Sequence, residues 1–343
     1  MRTTIKDVAR RAHVSTATVS LVLNDHRRIS ADTKKRVLKV IEEMDYHPSQ
    51  AARGLVSQHT GNIGFILTED HFLRTEPFYT HIFLGAEFEA RKSPYFILLT
   101  TVPTNFSDQS PLPRFVLQKS VDAIIIAGKV PDILINRLKD YRIPLVFIDY
   151  FPGSGEYPCV LTDNLQGGLL ATEHLISCGH EHIAFVGGDI KHPSIRDRLL
   201  GYKMALEKHN LPIVKDHIFF KEMPTSKEGG YQATASLIQK SKQITALFSC
   251  NDAMAIGAMQ YLKENNIRVP KDISVIGFDD IESDLFQDPP LSTIRVSKID
   301  MGSEAFRMVT ELLQKKNRSP RKIIIPVELV ARQSTCRLST GKG

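Results

Sequence analysis

The chain has 343 residues, 42% of them hydrophobic, and carries 44 Lys and Arg against 38 Asp and Glu for a formal net charge of +6. That is longer than one typical domain and enough to bury a sizeable core, while four widely spaced cysteines, Cys159, Cys178, Cys250 and Cys336, exclude a disulfide framework. With no N-terminal apolar leader and no run of 18 apolar residues, the expectation is a reduced, cytoplasmic protein that does not cross a membrane.

The charge is concentrated at the start. Residues 1–60 hold 11 Lys and Arg against 6 Asp and Glu, whereas the other 283 residues hold 33 against 32. A basic head of this kind points to an anionic partner.

In chain order, Thr4 is an N-cap with Asp7 at the capping-box position, and Ile5, Val8, Ala9 and Ala12 recur at helical spacing. A second short helix follows Ser15 as N-cap, with Val14 and Val19 at the hydrophobic-staple positions and Val22 and Leu23 continuing the buried face. Thr16, Ala17, Ser20, Leu21 and Asn24 are left facing outward. Two short amphipathic helices joined by a tight turn form a helix-turn-helix. On its outer face Ala17 and Leu21 suit thymine methyls and base edges, while Thr16, Ser20 and Asn24 suit bases or phosphates. A third helix from Ser30 buries Val37, Val40, Ile41 and Met44, and Lys34, Lys35 and Arg36 crowd its first turn. Cations there oppose the helix dipole by about 0.3–1 kcal/mol each, which a neighbouring phosphate would offset. Two core-packing helices of an ordinary small bundle would show the same spacing, and the charge favours the DNA-binding reading.

Residues 49–57 are too few for a stable isolated helix, and Gly54 weakens the segment by a further ~1 kcal/mol relative to Ala. Beyond residue 60, apolar runs at 63–67, 95–99, 123–126 and 145–148 read as parallel strands buried on both faces, with helices over 83–90 and 133–141. The rhythm continues with strands at 182–187, 217–220, 245–250 and 273–278, and helices at 164–178, 194–209, 229–240 and 252–265. The fold expected is an all-α helix-turn-helix head followed by an α/β core of two doubly wound lobes with a cleft between them.

The segments Thr4-Ile5-Lys6-Asp7-Val8-Ala9, Val14-Ser15-x-x-Thr18-Val19-Ser20 and Pro48-Ser49-Gln50-Ala51-Ala52-Arg53-Gly54-Leu55 resemble the head of the lactose-repressor/galactose-repressor (LacI/GalR) family. The resemblance runs on through Asp163-Asn164, Cys178-Gly179-His180, Arg198-Leu199-Leu200-Gly201, Asn251-Asp252, Gly277-Phe278-Asp279-Asp280, Pro290-Leu291-Ser292-Thr293-Ile294 and Arg332-Gln333-Ser334-Thr335. It implies a DNA-binding set of Thr4, Ser15, Thr16, Ala17, Thr18, Ser20, Leu21, Asn24, Arg53 and Leu55. Within that set Thr16, Ala17 and Leu21 choose the sequence, and Leu55 enters the minor groove. A leucine wedge unstacks one base step at a cost of a few kcal/mol and bends the duplex.

For the core, the resemblance implies periplasmic-binding-protein-like lobes with a small effector in the cleft. The contacts it implies are Phe78, Tyr79 and Tyr150 from the first lobe, and Arg198, Asn251 and Asp279 from the second. The chemistry of the residues agrees: Asn251 and Asp279 follow strands at the carboxyl ends where open α/β sheets take ligands, Arg198 offers a planar fork of donors, and aromatic faces stack on a sugar or a purine. Thr68–Pro77, Ser93-Pro94 and Pro103–Pro113 depart from the family pattern.

The organisation expected is a head over 1–48, a hinge helix and linker over 49–60, and a core over 61–343. Lobe one takes about 61–160 plus 293–323, and lobe two about 161–292 plus 324–340. The functional expectation is a transcription repressor, a homodimer on a pseudo-palindromic operator because one head reads half a site. Its effector is expected to be a sugar or sugar derivative, with a purine or a protein corepressor as alternatives. No leucine heptads precede Gly343, so no tail-mediated tetramer is expected. A periplasmic-type solute-binding protein would share the lobes and lack the basic head. No catalytic arrangement and no cofactor site is expected. His174, Cys178, His180 and His182 crowd together, yet no metal-ligand spacing supports zinc, and Gly179 reads as a helix stop.

Overall fold

The computed structural model describes residues 3–23, 29–46, 59–72, 77–153, 157–221, 225–241, 243–314 and 319–338. Two units divide the chain, Met1–Gly61 and Asn62–Gly343. In the first, α1 (Ile5–Arg11), α2 (Thr16–Leu23) and α3 (Ala31–Glu43) share a small core of Val8, Ala9, Ala12, Val19, Val22, Val37, Val40 and Tyr46, with Ile41 and Met44 partly buried beside it. Its helix starts are fixed by local bonds. Thr4 donates from both its N–H and its hydroxyl to Asp7, at 3.0 and 2.6 Å. Those bonds hold the Asp7 carboxyl below its ordinary value. Ser15 and Ser30 accept from the backbone N–H of Thr18 and Thr33 at 3.1 and 3.3 Å, satisfying donors that a helix start otherwise leaves orphaned.

The second unit contains two parallel sheets. Lobe one centres on six strands in the order β11 (Lys322–Ile325), β5 (Cys159–Thr162), β4 (Leu145–Ile148), β3 (Ala123–Ala127), β1 (Asn62–Thr68), β2 (Phe96–Val102). Lobe two centres on four, in the order β7 (Ile218–Phe220), β6 (Ile183–Gly187), β8 (Ala246–Ser249), β9 (Ser274–Ile276). A separate antiparallel pair joins β10 (Thr293–Val296) to β12 (Val327–Val330). Helices α4 (Phe78–Ala90), α5 (Asp132–Lys139), α6 (Asn164–Ser177), α7 (Pro193–Lys208), α8 (Lys227–Lys240), α9 (Asp252–Glu264) and α10 (Lys298–Gln314) lie between the strands in sequence.

The central strands follow the expected apolar runs: β3 and β4 are buried throughout. The outermost strand differs. Phe96 of β2 is 62% exposed and Leu99 38%, because β2 is an edge strand with one neighbour, where the apolar run had suggested burial on both faces. The four-residue strands β5, β10, β11 and β12 have no counterpart in the sequence reading, since runs so short do not distinguish a strand from a loop, and the longer helix α10 has none either. The proline-rich departure over 103–113 is pinned by Arg137, which donates to Ser110 O at 2.6 Å and lies over the Phe106 ring.

One close approach matters for the cleft. A Cβ on Gly168 would meet Arg198 O at 2.3 Å, and one on Gly201 would meet Leu165 O at 2.2 Å. Glycine at both places lets α6 and α7 touch backbone to backbone and sets where Arg198 emerges.

Candidate functional site

On the head, Ser15 and, on α2, Thr16 and Ala17 are exposed, with Thr18, Ser20 and Leu21 partly exposed, while Val19 and Val22 point into the core. Short side chains on a helix held rigid from behind are what base-edge contact in a major groove requires. Thr4 is exposed at the start of α1, and Lys35 and Arg36 are exposed on the second turn of α3, one turn further in than the sequence reading placed them. Asn24, Arg53 and Leu55 lie outside the described residues.

In the core, Arg198 is the centre of the candidate effector site. Only 6% of it is exposed, and its guanidinium lies over the Phe278 ring with 3.6 Å to the centroid. Its Nε donates to Asn164 Oδ1 at 2.8 Å, Nη1 donates to Cys250 O, and Nη2 stands 3.6 Å from Asp279 Oδ1. Asp279 follows β9 with φ of 120°, a conformation that disfavours any side chain. Its N–H bonds Ile294 O at 2.8 Å, and its carbonyl accepts from Lys298 Nζ. Strain held by such over-determination is a mark of functional positions. Burial raises the Asp279 carboxyl to about 7, against the pull of Arg198 and with Asp252 pushing the same way.

Asn251 caps α9: its Oδ1 accepts from Met254 N–H at 2.9 Å and its amide donates to Thr225 O at 3.0 Å. Much of its hydrogen-bonding capacity is thus already used within the chain. From lobe one, Tyr79 is 6% exposed and donates its hydroxyl to Asp149 Oδ2 at 2.9 Å. Phe78 is partly exposed, edge-on to Tyr79, and carries Lys298 Nζ over its ring at 5.6 Å. Tyr150 is partly exposed against His192, with ring centroids 6.2 Å apart, and burial raises its phenol above the usual value. A cavity of about 220 Å³ is lined by Asp149, Tyr150, Asn164, Ser194 and Asp197 among others.

Sequence reasoning missed Asp149, His192 and Asn164. Asp149 is buried in a left-handed conformation at φ 58°, and His192 sits at the N-cap of α7 without capping it. Burial drives the His192 imidazole below its ordinary value, opposed by Asp149 and reinforced by Arg198. Asp149 Oδ1, His192 Nδ1, Ser249 Oγ and Asp279 Oδ1 are buried with no hydrogen-bond partner among the described residues. Single orphans occur in any fold, and the three of Asp149, His192 and Asp279, all within electrostatic reach of Arg198 or of one another, suit a site made to receive polar groups. The only sequence signal was position, since Asp149 and Ser249 stand at strand ends and Asp279 lies shortly beyond one.

The crowded histidines have structural partners. His180 pairs with Thr245 Oγ1 and Ser274 Oγ, both at 3.0 Å, and His174 with Thr335 Oγ1 at 2.9 Å.

A rigid helix-turn-helix and a two-lobed core with a polar cleft define a DNA-binding regulator that responds to a small molecule. Comparison with known proteins agrees. The family of bacterial regulatory proteins of the lacI type matches residues 4–49, and the periplasmic binding protein-like domain matches 172–335. The HTH-type transcriptional repressor PurR of Pasteurella multocida (strain Pm70) is 34% identical over 336 residues, covering 96% of this chain and 98% of its own length. PurR of Yersinia pestis bv. Antiqua (strain Antiqua) is 34% identical over 334 residues, with 96% coverage of both chains. Among solved structures, the Lac repressor dimer bound to operator and the anti-inducer ONPF is 26% identical, with a TM-score of 0.77 over 98% of this chain and all of that one. A LacI-family regulator from Enterococcus faecium with bound ribose is 30% identical, with a TM-score of 0.70 over 81% of this chain and all of that one. A transcriptional regulator CelR–cellobiose complex is 25% identical, with a TM-score of 0.73 over 97% of this chain and all of that one. The chain belongs to the LacI family of DNA-binding transcriptional repressors, and it is a regulator, not an enzyme.

Proposed function

We propose that this repressor works in the cytoplasm as a homodimer on a pseudo-palindromic operator, and that its effector is an uncharged, hydroxyl-rich molecule, a sugar or sugar derivative, held between the lobes. The observation that carries the effector class is the balance of donors and acceptors. Lys298 directs its N–H groups to the carbonyls of Asp279, Asp280 and Val296, and Arg198 spends two of its donors on Asn164 and Cys250. Arg198 keeps further N–H groups, and with them stand buried acceptors that have no partner among the described residues, Asp149 Oδ1 and Asp279 Oδ1, and the ambivalent His192 Nδ1 and Ser249 Oγ. Hydroxyl hydrogens match that demand, and a phosphate or carboxylate meets it with more negative charge. The sugars bound by the cellobiose and ribose complexes lend support.

Effector contacts from both lobes, Phe78, Tyr79 and Tyr150 with Arg198, Asn251 and Asp279, would bias how the lobes close and so how Arg53 and Leu55 reach DNA. A purine is the second reading. The PurR-type relatives favour it, and the Phe78 and Tyr150 rings offer faces for a planar base.

Thermal unfolding of the purified protein against neutral sugars, sugar phosphates, nucleosides and nucleobases tests the proposal. A neutral sugar at 100 times its Kd should add about 2.7 kcal/mol of stability. Asp149→Asn and Asp279→Asn should lose that gain. Stabilisation by nucleobases alone would replace the sugar with a purine, and stabilisation by phosphorylated ligands alone would overturn the argument from acceptors.

A further inference from the structure

Below Asp279 lie two carboxyl groups that the effector reading does not use. Asp252 is the first residue of α9 and Asp284 lies in a 3-10 turn, Glu282–Phe286, and both are 0% exposed. Asp252 Oδ1 accepts the Thr293 hydroxyl at 2.6 Å. Its Oδ2 and the Oδ2 of Asp284 accept the same N–H, that of Ile281, at 3.3 and 3.1 Å. Two acidic oxygens therefore converge on one backbone donor.

The neighbouring charges do not neutralise both. Arg332 Nη1 comes within 3.8 Å of Asp284 Oδ2, yet its stronger bonds go to Leu291 O, at 2.6 Å, and to Asp280 Oδ1. Lys298 acts on Asp252 only through space, its N–H groups being given to backbone carbonyls. Asp280 adds a further negative charge beside Asp284. The β9 end presses close, since a Cβ on Gly277 would stand 2.0 Å from Asp252 Oδ1. Asp284 Oδ1 has no partner among the described residues, a costly position for a carboxylate oxygen and a cheaper one for the carbonyl of a neutral acid.

We propose that Asp252 and Asp284 share one proton, and that Asp284 is thereby a positioning residue that ties the turn after Asp279 to the base of α9. With the proton in place, one O–H bond joins the two carboxyl groups and the Ile281 N–H is held between them. Without it, two buried charges repel and the turn carrying Asp279 loosens. Burial and the neighbouring Asp252 charge raise Asp284 to about 10, and burial raises Asp252 as well. The shared proton is thus a lock at ordinary pH. Its consequence for the effector rests on the proposed cleft, and the proton itself is testable without ligand.

The test uses the full chain above pH 7, where Asp279 has given up its own proton. The folded protein should show the infrared C=O stretch of a neutral carboxylic acid, lost in both Asp284→Asn and Asp252→Asn. A folded state that keeps one proton which the unfolded chain releases loses about tenfold in its folding constant per pH unit over that range. Asp284→Asn, which keeps the shape and a donor toward Asp252, should remove that slope and keep the Ile281 N–H slow to exchange, whereas Asp284→Ala should free it. Absence of the band in the native protein, which needs no variant, overturns the proposal. So does an Asp284→Asn protein with the original slope.

Discussion

The head and the cleft place function on opposite kinds of side chain. On α2 the residues proposed to read DNA, Thr16, Ala17 and Leu21, project from a helix whose stability comes from Val19 and Val22 behind them. In the cleft the candidate contacts are themselves the structure: Arg198 joins Asn164, Cys250, Phe278 and Asp279, and Tyr79 anchors Asp149. A surface that reads many DNA sequences benefits from positions that change at little structural cost. A buried site that must hold charged groups in place uses the same atoms for stability and for binding.

Arg198→Ala is the most severe way to probe that contrast. It removes the cation over Phe278 and leaves Asp279 buried without its partner, so unfolding in urea should show a loss of about 3–5 kcal/mol. A loss under 1 kcal/mol would mean that the guanidinium is held for ligand alone. Asp279→Asn should act through pH. Because burial raises the folded Asp279 to about 7, the native state holds a proton that the unfolded chain has released, and stability falls as pH rises from about 4 toward 7. The variant should flatten that part of the melting-temperature profile, and an unchanged slope would show that the carboxyl is ionised throughout.

Tyr79→Phe should cost about 1–3 kcal/mol in the same urea titration by depriving the buried Asp149 carboxyl of a donor. On the head, Ser15→Ala should cost about 1 kcal/mol, measured on the first unfolding transition, by orphaning the Thr18 N–H. Smallest in stability is Thr16→Ala, within about 0.5 kcal/mol, although a lost base contact should lower operator selectivity by about 1–3 kcal/mol. A Thr16→Ala protein that melts early would erase the distinction between the two regions.

The same contrast governs what the sequence discloses. The head was readable almost residue by residue, because capping at Thr4 and Ser15 and the burial of Val8, Val19 and Val37 follow from spacing within one or two turns. The alternation of strands and helices in the core was readable for the same reason. The cleft was readable only in part. Asp279 and Asn251 were marked by their places after strands, and Asp149 carries the same positional signal without having been singled out, but nothing local marks His192, whose place arises when α7 and the end of β4 meet near Arg198. The edge exposure of β2 and the convergence of Asp252 with Asp284 are likewise products of sheet order and chain crossing, which periodicity does not encode.

The central claim is that a small molecule in the cleft controls operator binding. The direct measurement is fluorescence anisotropy of a selected operator fragment titrated with the full-length repressor, with and without a saturating ligand identified by thermal stabilisation. The expected result is a 5–150-fold change in operator affinity that Asp149→Asn abolishes, with non-specific DNA unaffected. Equal operator affinity with and without a ligand that demonstrably occupies the protein would contradict it.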